Sequence, residues 1–385
     1  MSPTRRLDFA EGKERAVGRL HVASMQVTTR VAVIVVGFRN AADIADCLRA
    51  LAKLSPVESF EVLIVENGGD AGMSMLLKRL DNGDLVQRHD GTAGGGLAVR
   101  SGPKPVHLYR LVNTACDTNV YVRVAQAPGN LGYGGGINFW LRLLLDVPGW
   151  TGIWVLNPDA MPTPQALAEL EDTASRRGKG MVGSCIVNPD RPGEVATRGL
   201  KWNAAMARVE AIGRGAPIDE VPDLDELEIR LWAPSGASFY VTRALIEQIG
   251  LMEERYLLYF EDLEWGMKAR HLGQLTHAHN SIVLHKHGTT IGSNASYRSR
   301  SPLSEYLENR NIILFVRAYF PRLLWWAVVI RLAYIARYGA VGAFANFRVG
   351  IVGLMAGLLG HDGIPGALLY LLARNQPRRA SKSGQ

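Results

Sequence analysis

The chain alternates short apolar runs with amphipathic stretches. The first strong run is Val31–Val36, VAVIVV, continuous and rich in β-branched residues, which predicts a strand buried on both faces. Gly37-Phe38-Arg39-Asn40 breaks it. Ile44, Cys47, Leu48 and Leu51 then fall at helical spacing over 41–54. A second strand, Phe60–Val65, ends in Glu66-Asn67-Gly68-Gly69-Asp70. This is a β-α-β unit with polar groups at the carboxyl end of its second strand, the edge where open α/β sheets bind ligands.

The alternation continues. Strands are expected at 121–125, 152–156, 180–187, 233–241 and 282–284, with helices running to about 145 and over 164–176 and 243–249. Residues 83–118 hold Gly94-Gly95-Gly96, Pro103 and Pro105 without a sustained period, and read as a long loop or insertion. The polar, Pro/Gly-rich stretch 188–230 reads as a cover for the site. From about 322 to 374 the chain is helical and very apolar.

Composition narrows the class. Of 385 residues 47% are hydrophobic and 21% charged, which excludes a disordered chain, a collagen and a coiled coil. The net charge of +7 is uneven: residues 1–30 carry 6 basic and 3 acidic groups, 31–297 carry 25 and 30, and 298–385 carry 12 and 3. The acidic body argues against nucleic acid as main partner, and the basic tail points to anionic lipid or another acidic surface. Cys47, Cys116 and Cys185 are an odd number, far apart, without disulfide or zinc spacing. They suit a reducing compartment. The charged N-terminus has no apolar core of a secretory signal, so a cytoplasmic address is expected.

Four segments carry candidate chemistry. Asn157-Pro158-Asp159 follows a buried strand, where a carboxylate can hold a divalent cation bridging two phosphates; the same tripeptide also makes a good turn. Tyr259-Phe260-Glu261-Asp262-Leu263-Glu264-Trp265 sets three acids among aromatics. An acid so placed has a raised pKa and suits a general base, the alternative being a solvated helix start. Gly132–Gly136 would let backbone approach a ligand closely, though Ile137 breaks the dinucleotide-binding glycine pattern. His285-Lys286-His287-Gly288-Thr289-Thr290 follows a strand and offers metal or phosphate ligands.

The order of these pieces carries a resemblance. A Phe38-x-Asn40 strand end, Glu66-Asn67-Gly68, Pro128–Asn138, Asn157-Pro158-Asp159, Ser235-Gly236-Ala237, Tyr259–Trp265, His285–Thr290 and Tyr306-x-x-Asn309-Arg310-Asn311 follow one another. Over about residues 31–320 the chain resembles the family 2 inverting glycosyltransferases of GT-A fold, particularly the rhamnosyltransferase-like branch of bacterial cell-envelope synthesis. That implies an α/β fold, a Rossmann-like open mixed sheet flanked by helices, here with a C-terminal apolar helical segment. By resemblance, Phe38 and Glu66 line the nucleoside pocket, Glu66 standing where the family usually has Asp. Asn130, Gly132 and Asn138 cradle the nucleotide-sugar. Asp159 is the last residue of the family's metal motif, Asn157 replacing its first carboxylate, and His285 completes a site for Mg²⁺ or Mn²⁺. Asp262 is the catalytic base, with Glu261 positioning or binding acceptor, and Arg310 and Asn311 contact the diphosphate or close over it. Met252-Glu253-Glu254 departs from the family's Phe-Asp-Glu, and the 83–118 loop is longer than usual.

The implied partners are a nucleotide-sugar donor, dTDP-rhamnose by preference with UDP-galactofuranose or a UDP-hexose as alternatives, and a glycan or lipid-linked acceptor. A non-catalytic, membrane-associated nucleotide-sugar-binding protein is the competing reading. The expected organisation is a basic extension (1–30), a catalytic domain (31–320), a membrane-interface helical segment (321–374) and a disordered basic tail (375–385). Leu323–Ala336 and 341–360 each contain an arginine, Arg331 and Arg348. With Trp325, Trp326, Tyr334 and Tyr338 they read as helices lying on the cytoplasmic face of the membrane, a buried helical domain being the alternative.

Overall fold

The computed structural model describes residues 31–55, 60–89, 106–112, 114–115, 120–286 and 300–363. The expected extension 1–30, the tail 375–385, Cys116 and the second histidine of the His285–Thr290 motif lie outside the described residues.

In chain order the elements are β1 (Val31–Gly37), α1 (Ala41–Leu51), β2 (Phe60–Glu66), α2 (Gly69–Asp81), β3 (Val86–Arg88), β4 (His107–Leu111), β5 (Tyr121–Gln126), α3 (Gly132–Leu145), β6 (Gly152–Leu156), β7 (Ala160–Pro162), α4 (Ala166–Arg177) and β8 (Met181–Val187). Then come β9 (Val195–Thr197), β10 (Leu200–Asn203), β11 (Arg208–Ala211), α5 (Leu224–Arg230), β12 (Ser238–Thr242), α6 (Arg243–Ile249), α7 (Glu261–His271), β13 (Leu275–His285), α8 (Pro302–Tyr319), α9 (Leu324–Ala340) and α10 (Phe344–Leu359).

The main sheet runs β3-β4-β5-β2-β1-β6-β12-β8-β13-β7, with β9 on β8. Its centre is parallel. β1 lies between β2 and β6, and all seven β1 residues are buried, as a continuous apolar run requires. β12 is antiparallel to both β6 and β8, so the sheet is mixed. Helices cover both faces. One core joins α1, α2 and α4 to one side, and a second joins α3, α6 and α7 to the other. This is the open mixed α/β sheet flanked by helices that the sequence implied.

Three registers build the site. Gly37 pairs with Glu66, so β1 and β2 end side by side and Glu66 faces the turn after β1. Ser238 pairs with Leu156, which sets the Ser235–Ala237 turn beside Asn157; the Asn157 N–H donates to the Ala237 carbonyl. His285 pairs with Ala160 across the short β7–β13 ladder, which carries His285 to Asp159 from 126 residues away.

The stretch 83–118 is not a plain loop. β3 and β4 pair antiparallel, Val86 opposite Leu111, and extend the sheet beyond β5. Each strand is too short to show a period, and the glycines that suggested a loop lie between them. The cover at 188–230 does carry structure, the β10–β11 hairpin and α5. The expected boundary at 320 falls in a turn, but packing crosses it: Trp202, Phe260, Phe315, Phe320 and Val328 share one cluster.

Candidate active site

The carboxyl edge of the sheet opens into a cavity of 610 Å³. Tyr133, Asn157, Ser235, Gly236, Glu261, Asp262 and His285 line one side. Arg300, Glu305, Glu308, Arg331, Tyr334 and Tyr338, from α8, α9 and the residues before them, line the other.

Asp262 opens α7. Its carboxylate accepts hydrogen bonds from the Leu263 N–H (2.8 Å) and the Gly236 N–H (3.1 Å). Only glycine fits at 236, since a Cβ there would stand 2.8 Å from Asp262 Oδ2. The Tyr133 hydroxyl fixes the same turn by donating to the Gly236 carbonyl (2.5 Å). Glu261 is more deeply buried, and its Oε2 has no hydrogen-bond partner. Burial, then the neighbouring Asp262 charge, raises the Glu261 pKa above the ordinary glutamate value. Burial raises Asp262 as well, opposed by the backbone N–H groups that favour its ionised form. Both acids are thus raised by burial, and the Asp262 charge adds to the rise at Glu261.

The turn into α7 is strained. Leu257, Tyr259 and Phe260 have φ of 65°, 69° and 79°, a left-handed region that bulky side chains avoid. Asn311 Nδ2 holds that turn by donating to the carbonyls of Tyr256, Leu258 and Tyr259 at 3.1, 2.8 and 3.0 Å. Arg310 donates to the carbonyls of Arg255 and Tyr256 (3.0 and 2.8 Å) and to that of Gly363, while its Nε donates to Asn311 Oδ1. Both side chains are fully buried in α8. The expected diphosphate contact is thus corrected. These residues face the backbone of the 255–259 turn, because α8 packs behind it and the turn's carbonyls need donors.

His285 lines the cavity and meets Asp159 behind it. His285 Nε2 lies 2.9 Å from Asp159 Oδ1 and 3.1 Å from Asn157 Nδ2, and both charged-type side chains are about nine-tenths buried. A carboxylate oxygen and an imidazole nitrogen this close beside the cavity suit Mg²⁺ or Mn²⁺ completed by phosphate oxygens and water. Two protein donors fit such an ion only with ligands from a substrate.

The remaining predicted residues divide. Glu66 is fully buried. Its Oε1 accepts from the N–H groups of Arg39 (2.9 Å) and Gly68 (2.7 Å), while Oε2 has no hydrogen-bond partner. Gly37, Gly68 and Gly72 surround this carboxylate so closely that a Cβ at any of them would fall within 2.7 Å of it. They make room for the extra methylene of Glu over Asp. Phe38 is exposed beside it, with the Arg39 guanidinium 5.6 Å from its ring. Asn130 closes its own turn, accepting from the Gly132 N–H (3.0 Å). Asn138 is buried and exchanges hydrogen bonds with the Met252 backbone and the Glu254 carboxylate, so it holds the 252–254 segment rather than a ligand. Gly132 has φ of 73°, and a Cβ on it would meet the Leu257 carbonyl oxygen at 2.2 Å. The close approach expected here is to the 257 turn.

Sequence reading missed the second wall. Glu305 accepts from Tyr338 (2.6 Å) and Asn309 (2.6 Å). Arg331 donates to Asn309 (2.9 Å) and pairs with Glu308 (3.3 Å), which also binds Arg300. The signal was present: Glu305, Glu308 and Asn309 repeat at helical spacing along α8.

An open mixed sheet with paired acids at its carboxyl edge is an architecture suited to moving groups between bound substrates, and this chain is similar to glycosyltransferases. It is 27% identical over 202 residues to N-acetylglucosaminyl-diphospho-decaprenol L-rhamnosyltransferase of Mycobacterium tuberculosis, covering 48% of this chain and 66% of that protein. It is 25% identical over 152 residues to the low-salt glycan biosynthesis hexosyltransferase Agl10 of Haloferax volcanii, covering 39% of this chain and 46% of that one. The mannosyltransferase PcManGT of Pyrobaculum calidifontis, solved with GDP-Man and Mn²⁺, superposes with a TM-score of 0.46 at 13% identity over 93% of this chain and 83% of that chain, too remote to argue from. No family model matches the chain.

Proposed function

We propose that the chain is a family 2 inverting glycosyltransferase that moves a hexosyl group, rhamnose from dTDP-rhamnose by preference, to a hydroxyl of a cell-envelope glycan or lipid-linked acceptor. The observation that carries this reading is Asp262 in the cavity wall, held by two backbone N–H groups next to the buried Glu261, in a cavity that His285 also lines. The kinship with rhamnosyl- and hexosyltransferases supports the class.

Asp262 takes the acceptor hydroxyl proton as the new C–O bond forms at the anomeric carbon. The old C–O bond breaks with its electron pair going to the diphosphate on the opposite face, so configuration inverts. The Gly236 and Leu263 N–H groups keep the base oriented. A proton on Glu261, favoured by its burial and by the Asp262 charge, would avoid a second negative charge beside the base. Asp159 and His285 would hold a divalent cation, whose chemistry is to offset the charge of the leaving diphosphate. Glu66, with an unpartnered buried oxygen beside exposed Phe38, is suited to accept an N–H from a pyrimidine base.

The acceptor is proposed to reach Asp262 along the α8–α9 wall. Trp325, Val329, Phe344, Met355 and Leu359 are exposed apolar side chains on α9 and α10. Pro321–Ala340 is, among the described residues, the one stretch long and apolar enough to cross a membrane, with mean hydropathy 1.2. Its Arg331 face packs on α8, so we read α9 as lying on a membrane surface with its tryptophans at the interface.

The test is transfer or hydrolysis of nucleotide-sugars by the purified chain with Mg²⁺ or Mn²⁺. Activity lost in Asp262→Asn is expected. A folded Asp262→Asn protein with wild-type turnover, or nucleotide-sugar binding without turnover in either protein, would refute the transferase reading.

A further inference from the structure

β8 and β13 run parallel, with His277 beside Gly183, and their ladder is interrupted by a bulge between Ala278 and Ile282. Alternation along each strand puts His277, His279 and Cys185 on one face of this weakened stretch. A ligand atom from each, the Cys185 sulfur and one ring nitrogen per histidine, lies within 4.8 Å of the other two. Cys185 and His277 are completely buried, and His279 is half-buried at the edge.

The polar atoms here are poorly served. Neither ring nitrogen of His277 makes a hydrogen bond of normal geometry, although one faces the Gly183 backbone; His279 Nδ1 is also without a partner. Buried polar atoms are nearly always paired, so unpaired imidazole nitrogens beside the Cys185 sulfur are suited to a ligand. Protonation does not resolve it. Burial, His279 and the Arg198 guanidinium push His277 down to about 3, so it is a neutral imidazole with a lone pair to offer. Burial raises the Cys185 thiol to about 11, the Arg198 guanidinium only partly opposing it, so the thiol keeps its proton until a metal displaces it.

We propose that Cys185, His277 and His279 bind one zinc ion, with water in the fourth position on the half-exposed His279 side. Thiolate and imidazole together select Zn²⁺ over Mg²⁺ or Mn²⁺. Tetrahedral Zn²⁺ needs ligand atoms roughly 3.3–3.6 Å apart, a closing movement of about 1 Å from the limit observed. Binding releases the thiol proton of Cys185 to solvent. One His277 nitrogen takes the metal while the other donates to the Gly183 carbonyl, the orientation usual for ligating histidines.

The site is separate from Asp159 and His285 and does not depend on the proposed transferase activity. Its role is a clamp. It ties β8 to β13 where their ladder breaks, and β13 ends in His285. Gly183 also packs under Pro234, at the base of the turn that presents Gly236 to Asp262.

The experiment strips the full chain with a chelator and titrates it with Co²⁺, then Zn²⁺. The expected result is one Co²⁺ per chain with a near-ultraviolet thiolate charge-transfer band, displaced stoichiometrically by Zn²⁺, and a higher urea midpoint with Zn²⁺ bound. Cys185→Ser abolishes the band. His279→Ala, at the more exposed edge and the variant to rely on if Cys185→Ser does not fold, removes a direct ligand and weakens binding by more than the roughly 10–100-fold that loss of an outer-shell partner costs, so that the band is lost at the wild-type's saturating Co²⁺ concentration. Asp159→Asn leaves the band intact. No band in the wild type, a band unchanged in Cys185→Ser or His279→Ala, or one lost in Asp159→Asn overturns the proposal.

Discussion

Replacing Asn311 by Asp keeps the size of the side chain and the oxygen that accepts from Arg310 Nε, and removes the donor that holds the turn before α7. Two N–H bonds, shared among the carbonyls of Tyr256, Leu258 and Tyr259, are lost. Tyr256 keeps the donor from Arg310, and leaving the buried acceptors of Leu258 and Tyr259 unpaired costs about 1–3 kcal/mol each. The left-handed Leu257, Tyr259 and Phe260 store about 1–3 kcal/mol apiece, part of which is released when the turn relaxes. The net loss of stability is therefore roughly 1–4 kcal/mol, and the larger effect is on chemistry. Asp262 is two residues past Phe260, and a displacement of about 1 Å at a reacting group costs on the order of 100-fold in rate. The assay is urea unfolding in parallel with steady-state transfer. A fall in kcat with donor KM nearly unchanged is expected. If Asn311→Asp unfolds within about 0.5 kcal/mol of wild type and raises only the donor KM, the residue contacts the diphosphate and the reasoning is wrong.

Four other outcomes are expected. Asp262→Asn should fold normally and retain no more than a few per cent of wild-type turnover, measured by product formation. Asp159→Ala should raise the divalent-metal concentration needed for half-maximal rate; an unchanged metal dependence removes Asp159 from the site. Glu261 holds its proton in the folded chain to a higher pH than in the unfolded one, because of burial and then Asp262. Between those two pKa values the folded state binds more protons, so stability falls as pH rises, and Glu261→Gln should flatten that slope in urea titrations at several pH values. Exchanging Trp325 and Phe344 for Ser should reduce sedimentation with anionic liposomes without changing turnover on a soluble acceptor; equal sedimentation would exclude α9 and α10 as the contact surface.

Much of the frame was legible in order and spacing. Val31–Val36 and Phe60–Val65 fix two buried parallel strands because a β-branched apolar run has no polar face to expose. Asn157–Asp159 and Glu261–Asp262 stood out because polar residues following a buried strand, or set among aromatics, mark a sheet edge or a helix start. That information is local, written within a few residues.

What the sequence could not show depends on which distant segments meet. His285 joins Asp159 only because the three-residue β7 pairs with the end of β13. Arg310 and Asn311 hold the 255–259 turn only because α8 packs behind it. Cys185 has no zinc spacing along the chain, yet two strands laid in parallel bring it to His277 and His279. Burial decides the chemistry in each case. Losing water shifts pKa values, leaves donors and acceptors to find one another, and so gives these residues roles that tertiary packing alone could assign.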